Sequence, residues 1–409
     1  MSALLRQIDV QMGLHADAND FTAAPSTFRR IQVTGGADSL MPRRLAEISR
    51  NDIASLDGRG FVHLYGPLDL ADFAPVTEFK GVNSNTGAAV AAADWAAKME
   101  QADLLTSLFG SLPVATTSAA PTVNATGHST TTLTTSGTAP VVGEFFLFQT
   151  SVAPVVRQVA SVVGNIATFD RAYAGTPTTG STIIRAARWV WGPSVRNHIH
   201  MGAKVEVVGS MLATFLGLAP VSCAIAVPTG GKLSATWAFS PSDVDGFAAA
   251  VAPTPTPPTA GTPIVGLNAV VMIGAERFFA ENLAISIGTG NEPRTTPASE
   301  NGVAGGIQAE KRGKGLQVTF SVRNETNSRG GVERNTGTET IRTLFGDALG
   351  AGSLSTARDA LVVIGRSAGA ALALRIPTAD LQASIATVGG TQAVAVTLSA
   401  TDTASFGVL

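Results

Sequence analysis

In His198-Ile199-His200 two imidazoles fall two residues apart. On a strand that spacing puts both on one face, as a pair of metal ligands requires. The sequence offers no third ligand: Glu206 is the nearest acid, and His63 and His128 are remote. The expectation is a polar strand face, with no metal and no cofactor. Gly288-Thr289-Gly290-Asn291-Glu292 and Gly313-Lys314-Gly315 are rich in glycine. Both lack the spacing of a phosphate loop and the helix that must follow it. Gly365-Arg366-Ser367-Ala368-Gly369 has the outline of a nucleophile elbow. Strand-forming residues follow it where a helix is needed. Cys223 is the single cysteine and lies in an apolar alternating run. It reads as a small buried hydrophobe and can build neither an intrachain disulfide nor a zinc site. These readings point away from an enzyme.

Charge is concentrated in two long polar stretches. In residues 35–58 and just beyond, Arg43, Arg44, Arg50 and Arg59 stand among Glu47, Asp52 and Asp57. In residues 289–313 and just beyond, Asn291 leads to Arg294, Lys311, Arg312 and Lys314 among Glu292, Glu300 and Glu310. Both read as loops. Loops of such length without secondary structure are usually functional, and mixed signs suit ion pairing across an interface. A solvated loop is the alternative. The expected contacts between subunits or rings are therefore Arg43, Arg44, Glu47, Arg50, Asp52 and Asp57 in the first stretch. In the second they are Asn291, Glu292, Arg294, Glu300, Glu310, Lys311, Arg312 and Lys314.

The elements around these stretches recur. Ile31-Gln32-Val33-Thr34-Gly35-Gly36 opens the first, which closes at Gly58-Arg59-Gly60 and runs into Phe61-Val62-His63-Leu64-Tyr65. Ile285-Ser286-Ile287-Gly288-Thr289-Gly290 opens the second, which closes at Gly313-Lys314-Gly315 and runs into Leu316-Gln317-Val318-Thr319-Phe320. Each copy continues to a short apolar helix signal, one ending at Phe109-Gly110 and the other at Phe345-Gly346, and then to a Gly-Gly turn, Gly230-Gly231 or Gly389-Gly390. Four landmarks in one order suggest a duplicated β-unit and a pseudo-symmetric ring subunit.

Composition agrees with an assembling protein. Only 14% of residues are charged. A free monomer usually keeps a more charged exterior, whereas interface cores lose charge. The bland explanation is a genome that favours Ala and Gly. The net charge of −2 provides no basic footprint for tight nucleic-acid binding. No window of 18 uninterrupted apolar residues predicts a membrane span, and the first residues do not read as a signal peptide.

The expected organisation follows from these signals. Residues 1–24 read as an N-terminal arm. Residues 25–112 and 189–250 form a first β-unit, with strands over Thr27–Thr34, Gly60–Leu68, Pro75–Val82, Val205–Leu212 and Val221–Phe239. Its helix is expected over Asp94–Gly110, capped by Asp94 and stopped by Gly110. Residues 113–188, rich in Thr, Ser, Gly and Val, read as a small inserted β-module with Phe145, Phe146, Phe148 and Phe169 in its core. The helix ends of the two copies lie farther apart than their Gly-Gly turns by about the length of this block, which supports an insertion. Residues 251–263 are a Pro-rich linker. Residues 264–409 form the second β-unit, with a helix over Thr338–Ala348 and separate strands over Ala370–Ile376 and Gln382–Val388.

The second repeat resembles the tail tube (major tail) proteins of long-tailed bacteriophages. The residues that carry the likeness are Leu283 to Arg294, Gly302-Val303-Ala304-Gly305 and Gly313-Lys314-Gly315. Phe28 to Ser39, with the charged stretch to Gly60, is similar to their N-terminal region, although it lacks the Asn-Glu-Pro-Arg element. The resemblance implies a mainly β fold: two tandem tail-tube-like β-sandwich or half-barrel units, each with one short α-helix, and an inserted module on the tube exterior. It implies trimeric, pseudo-hexameric rings stacked into a tube in the virion tail and assembled in the bacterial host cytoplasm. The implied partners are further copies of the chain, other tail proteins (tape measure, terminator, distal tail) and double-stranded DNA passing non-specifically through the lumen, with no membrane. The rival readings are another phage ring protein of the same fold and a β-sandwich binding module.

Overall fold

The structure, a computed structural model, describes residues 8–16, 24–36, 40, 43–44, 48–50, 62–64, 68–69, 73–116, 119–192, 199–207, 211–241, 243–248, 261–274, 276–295, 303–309, 315–323 and 358–409. It is mainly β. Seventeen strands share one hydrogen-bonded network and are labelled here in chain order. The first half holds β1 (Ile8–Leu14), β2 (Arg29–Ile31), β3 (Val33–Gly35), β4 (Val76–Glu78), β5 (Ala187–Trp191), β6 (Met201–Val207), β7 (Met211–Ala226), β8 (Ser234–Ser240) and β9 (Asp243–Ala248). The second holds β10 (Val270–Ile273), β11 (Glu276–Phe278), β12 (Glu281–Gly288), β13 (Leu316–Arg323), β14 (Arg358–Ser367), β15 (Ala370–Val388), β16 (Thr391–Ala400) and β17 (Ala404–Val408).

Period-two alternation explains the strands. In β8, Ala235, Trp237 and Phe239 are buried while Thr236 is exposed, the pattern of a sheet with one covered face. The two longest strands do more. On one side β7 pairs first with β6 and, beyond Pro220, with β12; on the other it passes from β9 to β8 near the same point. β15 changes partner from β17 to β16 around Pro377. Proline has no N–H to give a ladder, so it suits the corner at which a strand leaves one sheet for another. This is why Ala370–Ile376 and Gln382–Val388, expected as two strands, are one: Pro377 marks a bend and not an end.

The pairings repeat. In the first half β2–β1, β1–β6, β6–β7, β7–β9, β7–β8, β8–β4 and β4–β3 are antiparallel neighbours. In the second, β11–β10, β10–β14, β14–β15, β15–β17, β15–β16, β16–β13 and β13–β12 follow the same plan, strand for strand. Two expectations change here. Ile8–Leu14, assigned to an arm, is a sheet strand because its apolar residues alternate into the core, with Val10 and Met12 buried. The counterpart of β13 is β4, and not Phe61–Tyr65 as the glycine landmarks suggested.

Large aromatic residues fill the space between layers. Phe109 and Phe79 both pack on Phe406, with ring centroids 5.7 and 6.2 Å apart, and Trp237 donates its indole N–H to Thr77 Oγ1 at 3.0 Å. The expected single helix is broken. A 3-10 turn at Ala92–Asp94 leads to α1 (Trp95–Lys98), the chain extends at Met99, and α2 (Ala102–Phe109) ends at left-handed Gly110. Asp94 makes no side-chain cap. The break turns Glu100 and Gln101 inward. Glu100 pairs with Lys80 at 2.5 Å, their side chains 1% and 9% exposed, and also accepts the Gln32 backbone N–H. Lys80 Nζ reaches Gln32 Oε1 at 2.9 Å, and Gln101 donates to the Glu78 carbonyl at 2.7 Å. The helix expected over Thr338–Ala348 lies outside the described residues.

A separate six-stranded sheet is built wholly from residues 122–185. Phe146, Phe148, Phe169 and Tyr173 form its core, and Phe148 stacks on Phe169 at 5.3 Å. Phe145 points to the opposite face, where it packs with Val270, Leu361 and Ala373 of the second half. Tyr173 donates its hydroxyl to the Thr132 carbonyl at 2.7 Å, and burial pushes its pKa up to about 12. From about pH 10, the ordinary tyrosine value, to about 12 the folded chain holds a proton that the unfolded chain has lost. Stability is therefore expected to fall as pH rises through that window. Phenolate absorbance during a pH titration checks this: Tyr173→Phe should remove one late-ionising group, and an unchanged titration contradicts it.

Candidate assembly interface

Eight of the strands form one continuous sheet in the order β3-β4-β8-β7-β12-β13-β16-β15. Each half supplies four. The seam between halves is β7–β12, in which Ser222 to Ala226 runs antiparallel to Gly288 to Ala284. On its inner face Cys223, Ile225, Ile285 and Ile287 are buried. Just past the seam, Thr289 Oγ1 and Asn291 Nδ2 both donate to the Pro220 carbonyl at 2.6 Å. Asn291, expected at an interface between subunits, thus clasps the two halves of one chain.

The ends of this sheet are the counterparts of its central seam. β3 corresponds to β12 and pairs only with β4 among the described residues. β15 corresponds to β7, and nothing described pairs with Leu381–Val388 on the side away from β16. Register places Leu381, Ala383 and Ile385 opposite the buried Leu398, Val396 and Val394, so they lie on the core-facing side. Yet Ile385 is 71% exposed, whereas Ile225 at the covered seam is 0% exposed. An open ladder with an uncovered isoleucine is a surface that natural proteins normally protect.

The opposite face of this sheet is small and uncharged along the seam. Ala224, Ala226, Thr236, Ser286, Thr319, Gln382 and Ser384 are all exposed on it. Glu78 lies at the end of β4 and is paired with Lys232 at 2.8 Å. On the buried face, desolvation pushes the Cys223 thiol pKa far up. Cys223 is expected to resist thiol reagents until the chain unfolds. Mass spectrometry after alkylation checks this, and native labelling at the denatured rate contradicts it.

The charged stretches differ from their expected form. Within 35–58 and just beyond, Arg43–Arg44 pairs with Leu68–Asp69 and Ile48–Arg50 with Val62–Leu64. Within 289–313, Asn291–Thr295 pairs with Val303–Ala309, which places Glu292 and Arg294 on a hairpin strand. Each is a β-ribbon inserted between counterpart strands, β3 and β4 or β12 and β13. The irregular-loop expectation missed them because their alternation is weak and mostly polar. Glu47, Asp52, Asp57, Glu300, Glu310, Lys311, Arg312 and Lys314 lie outside the described residues. So does His198; His200 is buried just before β6 and its carbonyl accepts the His15 N–H at 3.0 Å. Gly365–Gly369 turns β14 into β15, strand into strand. Among the described residues no helix is long and apolar enough to cross a membrane, and no group of three or more His, Cys, Asp or Glu could hold a metal.

These features define the class: a mainly β chain with a duplicated strand plan and two sheet edges that are unpaired among the described residues. No family model matches the chain, and no curated protein matches it.

Proposed function

We propose that this chain is the structural subunit of a bacteriophage tail tube, made of two tail-tube-like units in tandem. One observation carries the reading. The seam that joins the two halves within the chain, β7–β12, has its two counterpart edges left open at the ends of the same sheet, β15 and β3. Repeating that seam between chains is heterologous, head-to-tail contact, which closes into rings when the rotation permits. Three chains would supply six units. The face that is small and uncharged along the seam then lines a lumen, where weak contact lets double-stranded DNA slide without being held by counterion release. On this reading the ribbons Arg43–Arg44, Ile48–Arg50 and Asn291–Thr295 would reach a neighbouring chain or ring, and the inserted module would face outward. Tape-measure, terminator and distal tail proteins are the proposed partners, and the virion tail the proposed location.

Electron microscopy of the purified chain tests this. Stacked rings or filaments with a central channel are the expected result. Single closed rings that never stack favour a terminator-like or other ring protein of the same fold. Monomers at high concentration overturn both.

A further inference from the structure

The seam between the halves has a second layer. In chain order β5 belongs to the first half, as the strand before β6, but it pairs with β17 of the second. Ala187 stands opposite Val408, Trp189 opposite Phe406 and Trp191 opposite Ala404. Ala187, Trp189 and Trp191 are buried. The helix α2 holds this strand in place. Trp189 donates its indole N–H to Thr106 Oγ1 at 3.2 Å, and Phe109 of the same helix packs on Phe406 at 5.7 Å. The first half therefore does two things at the seam. It joins β7 to β12 in one sheet, and it places β5 along the edge of the other sheet of the second half.

Among the described residues, the first half receives no such strand. β9 is the counterpart of β17, since each is the second partner of a long strand, β7 or β15. Register carries the match to single positions. The buried Ala213 and Phe215 of β7 stand opposite Phe247 and Val244 of β9. The buried Leu372 and Leu374 of β15 stand opposite Val408 and Phe406 of β17. Yet β17 is flanked by β15 and β5, whereas β9, six residues long, pairs only with β7 among the described residues. An open ladder of that length is a template on which another chain can add a strand.

The inner seam indicates whose strand this is. Within the chain, the half that supplies β7 also supplies β5 across the junction. Between copies, the half that supplies β15, the counterpart of β7, is the second. We propose that the second half of one copy places a strand along β9 of the next. The junction between chains is then hydrogen-bonded in both layers, as the seam within the chain is. This inference rests on the head-to-tail reading above and gives it a second contact, with a second copy of the chain as the partner of β9.

Hydrogen exchange read by mass spectrometry tests this on the unaltered full chain, with diluted, unassembled chains compared against assembled ones. Alternate amides of an edge strand point away from its single partner. About half of those in Asp243–Ala248 should therefore exchange at least about tenfold more slowly on assembly. Ala187–Trp191 and Ala404–Val408 should be slow in both states, because their junction lies within one chain. Protection gained at Leu381–Val388 with none at Asp243–Ala248 overturns this proposal and leaves the tube reading standing. Amides of Asp243–Ala248 that are all slow before assembly also overturn it, because β9 is then covered from within its own chain. No assembly, with no gain at either stretch, overturns both.

Discussion

Replacing Ile385 with proline should leave the chain folded and abolish the proposed assembly. The hairpin β15–β16 turns on Gly389-Gly390, and its register runs without a slip from Val388↔Thr391 back to Ala379↔Ala400. Across a two-residue turn the flanking pair is hydrogen-bonded, and bonded pairs then alternate. Ser384 and Ala386 therefore donate to β16, while the N–H groups of Ala383 and Ile385 point to the open edge. Proline at 385 removes an outward donor and puts its ring in the path of a neighbouring strand, with the β16 ladder intact. A loss of about 3 kcal/mol at each seam weakens association by roughly a hundredfold or more. Light scattering and electron microscopy should show monomers, with far-ultraviolet circular dichroism unchanged. Ile385→Thr keeps the donor and strand propensity and should still assemble. If Ile385→Pro assembles like the parent, this edge is not the seam.

Removing one partner of the buried Lys80–Glu100 pair should have the largest effect on stability. With Glu100→Ala, an ammonium group 9% exposed loses its counter-charge, and the Gln32 backbone N–H loses its acceptor. Breaking such a pair typically costs about 3–5 kcal/mol, because a charge remains buried and uncompensated. Replacing both partners, with Lys80→Met and Glu100→Leu, should cost much less. Denaturant unfolding reads both variants. A single variant within about 1 kcal/mol of the parent contradicts the prediction. Gln32 directly precedes β3, so the same knot also sets the position of an open sheet edge. Glu100→Ala should therefore impair assembly even under conditions where most chains are folded.

The duplication was legible in the sequence because its punctuation survives. Gly230-Gly231 and Gly389-Gly390 both sit in hairpin turns between counterpart strands, and both glycines of the second turn have positive φ. The module was readable from its aromatic residues, of which Phe146, Phe148 and Phe169 form its core. What failed did so for local reasons. The strands expected over Ala370–Ile376 and Gln382–Val388 are one because Pro377 sits at a corner, and a corner and an end can carry the same residue type. Asp94 looked like a cap, but it makes no side-chain cap, and the helix breaks at Met99, beside the Glu100 that pairs with Lys80. The site was harder to see. An open edge has no residue signature of its own: Ile385 and Ile225 belong to the same kind of alternating strand, and only the pairing of the whole sheet shows that one is covered and the other is not.

The β7–β12 seam lies within one polypeptide, so dilution cannot separate its two sides. In an assembly built on the proposed plan, every second junction is permanent and every other one obeys mass action. Disassembly would then release whole two-unit blocks and never single units. Because only one unit in each block carries the Thr-rich module, the outer wall would alternate between decorated and bare staves, giving the sheath threefold ornament over a near-sixfold bore.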